Sequence, residues 1–71
     1  MTEEQEIECH LGELLEARGL TLAALSEMVG VSVVNLSVLK NNHAKAIRFS
    51  TLQAICQALE CEPGDLLTIR K

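Results

Sequence analysis

Residues 22–42 read LAALSEMVGVSVVNLSVLKNN, two apolar-periodic segments set on either side of a single glycine, Gly30. Ahead of Gly30, Leu22, Leu25, Ser26 and Val29 fall at the i, i+3, i+4, i+7 spacing of one helix face, and Thr21 is a residue type that caps helix starts. Beyond it, Ser32 is placed to cap a further helix over 33–41, with Leu36 and Leu39 turned inward. A helix that stops at Gly30 needs a left-handed backbone there, which glycine adopts without steric cost. Ser26 is small, as close helix crossing requires, and Val31 would plug the corner. So short a turn forces the two helices to cross steeply and leaves the second one standing outward.

The same periodicity organises the rest of the chain. Leu11, Leu14 and Leu15 mark a first helix over 10–18, ended by Gly19. After an irregular loop, NNHAKAIRF, Ser50 reads as the cap of a fourth helix reaching residue 59, with Leu52, Ile55, Cys56 and Leu59 on its core face. Pro63 in CEPGDLL suits a first helical position, so a short last helix is expected near 64–67. Alternating apolar residues remain at both ends, Ile7, Cys9 and Leu11 at one and Leu67 and Ile69 at the other. They either pair as a short ribbon, within one chain or between two, or stay unpaired. The expected fold class is all-α, five helices in a single domain over 1–71, with 1–6 an acidic, flexible tail.

Composition narrows the function classes. The chain has 71 residues, so it buries only about 60% of its unfolded surface and is marginal unless well packed or partnered. No apolar run approaches the roughly 20 residues of a membrane span, and the start, MTEEQEIE, is acidic where a secretory leader would be basic. Three cysteines, Cys9, Cys56 and Cys61, are an odd number with no CxxC, which argues against a disulfide framework and for a reducing cytoplasm. With His10 and His43 they match no zinc spacing, so no metal is expected; the thiols read as small core residues and the imidazoles as solvent-facing. No nucleophile–base set or Gly-rich phosphate loop is present, and a chain this small is expected to leave no pocket of roughly 300 Å³. The expectation is a protein that is not an enzyme and takes no cofactor and no small-molecule ligand.

The net charge of −4 argues against a polyanionic partner, but its distribution does not. Six of the ten acids lie within residues 1–16 and three more are Glu60, Glu62 and Asp65. Between Glu27 and Glu60 there is no acid at all, while Lys40, Lys45 and Arg48 all fall there. Local field decides where a polyanion docks more than net charge does.

Two short helices crossing at a glycine corner, the second one exposed, make a helix-turn-helix, whose second helix can enter a DNA major groove. The run TLAALSEMVGVSVVNLSVLKNNHAKAIRFSTLQAICQALECEPGDLL resembles the phage-repressor (Xre/Cro) type of helix-turn-helix domain, and more narrowly the small bacterial regulators that keep little else. The resemblance covers residues 7–68; its most specific pieces are VGVS, KNNHAKAIRFSTL and CEPGDLL. It implies a five-helix fold that binds double-stranded operator DNA, often as a homodimer. By the same resemblance 33–41 is the recognition helix, with Val33, Val34, Asn35, Ser37 and Val38 toward the bases. The resemblance puts Asn41, Asn42, Lys45 and Arg48 on phosphates; Lys40 joins them from the acid-free segment, and Ser32 and Ser50, read first as helix caps, would contact phosphate secondarily.

Two departures matter. Many members of that family begin the second helix with Gln, where this chain has Leu22. Three of the base-facing residues are valines, which cannot make the bidentate base contacts worth about 1–3 kcal/mol each. They can pack on thymine methyl groups, so specificity leaning to A·T, with much of the affinity in salt-sensitive phosphate contacts, is expected. The competing reading takes the valines as an exposed patch for a protein partner, as in an antitoxin-like or co-regulator-binding module. Lys40, Lys45 and Arg48 would then be no more than a solvated face. The acid-free segment favours DNA. Without a separate oligomerisation domain, a dimer surface would come from the termini or the last two helices, where Leu66, Leu67 and Ile69 are apolar.

Overall fold

A computed structural model describes residues 6–70 of the chain. Five helices and a two-stranded ribbon follow in the order β1 (Ile7–Cys9), α1 (Leu11–Arg18), α2 (Leu22–Val29), α3 (Val33–Lys40), α4 (Phe49–Leu59), α5 (Pro63–Leu66) and β2 (Leu67–Ile69). The expected acidic tail lies outside the described residues except for Glu6. The ends pair within one chain: β1 runs antiparallel to β2 with Ile7 opposite Ile69 and Cys9 opposite Leu67. Leu11, read as part of that alternation, instead opens α1 and is fully buried.

Among the described residues nine form the core, and every helix contributes: Leu11 and Leu15, Leu25, Leu36 and Leu39, Ile55 with Cys56 and Leu59, and Leu66. Leu66 is therefore not surface awaiting cover, as its sequence context suggested; α5 turns it inward before the backbone straightens at Leu67 (φ −125°, ψ 127°) to enter β2. Ile69, on that strand, stays 61% exposed. Among the described residues no single helix is long and apolar enough to cross a membrane.

Helices of eight residues are unstable alone, so their ends must be well satisfied. The hydroxyls of Thr21 and Ser32 accept from the Ala24 and Asn35 amides, at 3.0 and 3.1 Å, as their sequence positions predict. Ser50 does not cap α4. Arg48 is the extended residue ahead of it (φ −73°, ψ 143°), its carbonyl already accepts from the Leu52 amide at 2.9 Å, and Ser50 lies in the first turn. Three helices close with a left-handed residue and a six-to-one bond. They end at Gly19 (Leu20 N–H to Leu15, 2.9 Å), Asn42 (His43 N–H to Val38, 2.9 Å) and Glu60 (Cys61 N–H to Cys56, 2.9 Å).

At the α2–α3 corner Gly30 is left-handed (φ +73°) and its N–H caps Ser26 at 2.9 Å. Ser26 does more than stay small. Its hydroxyl donates to the Val31 carbonyl at 2.6 Å and ties α2 to the turn. The helices that result are bent 117° from each other, within the range of helix-turn-helix units. His10 is also not the solvent-facing residue expected, because its ring lies 2.7 Å from the Thr68 hydroxyl and 3.2 Å from Glu13 and locks the ribbon onto α1.

Burial pushes the Cys56 thiol up from its ordinary 9.0 to about 11, with the nearby Cys61 thiol and the Glu62 and Asp65 carboxylates adding to it. The folded state thus holds this proton more tightly than the unfolded chain. That contribution is fully present below pH 9 and lost as pH rises towards 11. Urea titrations from pH 8 to 11 will show stability falling more steeply for the native chain than for Cys56→Ala, whatever the variant's starting level; parallel curves refute the assignment. In the same assay Leu36→Ala costs about 2–5 kcal/mol, and Val34→Ala, two residues away on the opposite side, stays within about 0.5 kcal/mol.

Candidate nucleic-acid interface

α3 buries Leu36 and Leu39 and presents the other side of the rod to solvent. Val34 is 71% exposed, Val33 43% and Val38 39%, with Asn35 exposed beside them and Ser37 half-buried. All five residues expected to face bases therefore lie on α3, and four are exposed. Apolar residues this exposed on so small a chain are not there for the core.

Beside this rod the loop after α3 and the first turn of α4 enclose an open groove of about 750 Å³. Such a volume exceeds what the chain length suggested, because the groove forms between elements rather than inside the core. It brings together Ser32, Asn35 and Val38 from the α3 side and Lys45, Arg48 and Ser50 from the α4 side. Among the described residues no carboxylate lines it. Lys45 and Arg48 are exposed, and the Ser32 hydroxyl is already accepting from α3.

The remaining expected phosphate contacts lie elsewhere. Lys40 leans away from the groove onto α1, where a Cβ added to Gly12 would meet its Cε at 3.1 Å. Asn41 and Asn42 sit at the C-terminal end of α3, outside the groove lining. The Asn41 amide reaches the Ser37 hydroxyl at 3.4 Å. Asn42 has a task that sequence reasoning missed: its Oδ1 accepts from the Cys9 amide at 2.6 Å, joining β1 to the end of α3. The exposed ring of Phe49 at the start of α4 was also missed. Asparagine at a helix end with no glycine nearby was the available signal for the first, since Asn tolerates the left-handed region best after Gly.

Residues 10–71 match the Cro/C1-type HTH DNA-binding domain. The chain belongs to that family. It is 58% identical over 57 residues to the uncharacterized HTH-type transcriptional regulator YozG of Bacillus subtilis (strain 168), covering 80% of this chain and 68% of that one. It is also similar to the transcriptional regulator VanUg as seen in a form II crystal structure, with TM-score 0.70, 30% identity, and coverage of 96% of this chain and 92% of the other. This Cro/C1-type domain is thus a helix-turn-helix DNA-binding domain of the kind found in transcriptional regulators, with α2 and α3 as the helix pair.

Within this Cro/C1-type domain Asn42 combines two demands, a left-handed backbone (φ +63°) and an accepting side chain. Alanine meets neither. Asn42→Ala will lower stability to urea by about 1–2 kcal/mol, and Asn42→Gly, which relieves the backbone but loses the Cys9 bond, will recover more than half of that. Equal losses in the two variants would show that backbone strain is not what selects Asn here.

Proposed function

We propose that this chain is a cytoplasmic transcriptional regulator that reads operator DNA as a homodimer, with α3 in the major groove and the adjoining cationic groove on the flanking phosphates. The observation that carries this reading is the pairing of an outward apolar rod with a groove that holds Lys45 and Arg48 and no carboxylate. The chain is acidic overall, yet no acid among the described residues lines this concave face. Relatives named as transcriptional regulators, YozG and VanUg, point to the same use.

In this reading Val33, Val34, Asn35, Ser37 and Val38 face the bases. Ser32, Lys45, Arg48 and Ser50 hold one phosphate run, while Lys40, Asn41 and Asn42 flank the far end of α3. Valine offers a thymine methyl group dispersion and exclusion of water, and it rejects nothing by hydrogen bonding. Discrimination is therefore shallow per base pair, and phosphate neutralisation carries a large share of the affinity. One helix reaches only a few base pairs, so a two-fold pair doubles the reading frame.

Fluorescence anisotropy on duplex DNA from upstream of the chain's own gene, at several salt concentrations, tests this. Lys45→Ala and Arg48→Ala will each flatten the slope of log K against log salt by roughly 1.8 for the dimer, about 0.9 per protomer, with helicity unchanged. Replacing thymine by deoxyuridine in the bound site will weaken the native chain and have less effect on Val34→Ala. Unchanged affinity and slope in the double variant would remove the phosphate assignment.

A further inference from the structure

Phe49, the only aromatic residue in the chain, is 86% exposed at the first position of α4. Burying such a ring is among the larger apolar gains available to a small domain, and the fold leaves it in water. The ring is not isolated. Phe49, Leu52, Gln53, Cys56, Gln57 and Glu60 recur at i, i+3, i+4, i+7, i+8, i+11, one stripe down α4. With Pro63 at the far end they line an open groove of about 430 Å³. Its floor is apolar, from half-buried Leu52 and buried Cys56, and its walls are the exposed amides of Gln53 and Gln57.

This face is separate from the cationic one. On α4 the cationic groove uses Ser50, Thr51 and Ala54, and no residue lines both grooves. A partner seated on the Phe49 stripe leaves Lys45 and Arg48 open to a polyanion.

We propose that the Phe49 groove is where a second copy of this chain docks, with the two α4 helices antiparallel about a two-fold axis. This rests on the homodimer reading above and names its surface. Two observations select the occupant. First, an 86% exposed ring stands at one end of the open groove it lines, so a two-fold antiparallel pairing lays each copy's Phe49 over the other's groove, as an isologous contact requires. Second, the acids of this face stand at one end of it, because Glu60 and Glu62 line the groove just past the C-terminal end of α4. Antiparallel packing lays these carboxylates along the positive, N-terminal end of the partner's α4 and opposes the two helix dipoles, whereas parallel packing sets like against like. Glutamine amides, which both donate and accept, suit a middle layer that meets its own copy.

Sedimentation equilibrium on the full chain tests the proposal. The native chain is expected to be dimeric, and Phe49→Glu to raise the dimer dissociation constant at least ~30-fold without loss of helicity, because the ring makes little contact with its own core. Gln53→Glu, on the solvent-facing wall, brings carboxylates of two copies together. It will also weaken the dimer, more at low salt than at high. Ile69→Glu, on the ribbon, will leave it unchanged. A Phe49→Glu chain that stays dimeric while Ile69→Glu dissociates would overturn this surface and leave the homodimer reading intact. A native chain that stays monomeric both free and on DNA would overturn both.

Discussion

The corner between α2 and α3 is the constraint on which the other features depend. Gly30 turns the backbone left-handed, the Ser26 hydroxyl holds the Val31 carbonyl at 2.6 Å, and the two helices leave the corner 117° apart. Leu25 on one helix and Leu36 on the next are both fully buried, so the angle is held by packing as well as by the turn. Rotating α3 about its axis would expose Leu36 and bury Val34. The same few residues therefore decide which side of α3 meets the core and which faces solvent. Val29, Gly30, Val31 and Ser32 also form one wall of the cationic groove, so fold and site share a corner.

Small size explains the attention this chain gives to helix ends. Three helices have only eight residues, about 12 Å of rod each, and such segments do not persist in water alone. Their stability comes from one leucine-rich core and from terminal amides that find defined partners. Two of the left-handed terminating residues are not glycine. Each carries a side-chain contact that glycine could not make: Asn42 accepts from the Cys9 amide, and Glu60 pairs with Arg18 at 3.1 Å. An exposed ion pair of that kind is worth at most about 1 kcal/mol, so at Glu60 it offsets the backbone cost rather than exceeding it.

Most of the fold was legible because its signals are local. Leucine periodicity, Thr21 and Ser32 as caps, and glycines at 19 and 30 are each read within one or two turns, and the structure places them accordingly. What was misread depends on partners distant in sequence. Leu66 looked like spare apolar surface because its core neighbours come from other helices, and His10 looked solvent-facing because Thr68 lies 58 residues away. Ser50 was a plausible cap by type, but the loop reaches extended geometry at Arg48, and a cap is defined by backbone angle before side chain. Within the site, spacing alone grouped Lys40 with Lys45 and Arg48. The left-handed turn at Asn42 sends the chain in a new direction after α3, and Lys40 is left over Gly12 while the other two line one groove.

Charge is partitioned by the fold in a way that net charge conceals. Arg18 and Arg70 stand 3.1 and 3.9 Å from Glu60 and Glu8, so these two cations are engaged with the chain's own acids. Lys45 and Arg48 have no such pairing among the described residues, and their groove has no carboxylate in its lining. At physiological salt a charge is screened within about 8 Å, so the acids of the ribbon and of the α4–α5 turn are weakly felt at the cationic face. A polyanion that approaches the acidic side is repelled at long range in dilute salt, and one that approaches the groove meets two cations at contact. The uneven field therefore does more than permit an anionic partner. It distinguishes one side of the domain from the others, and that side is the one where α3 stands out.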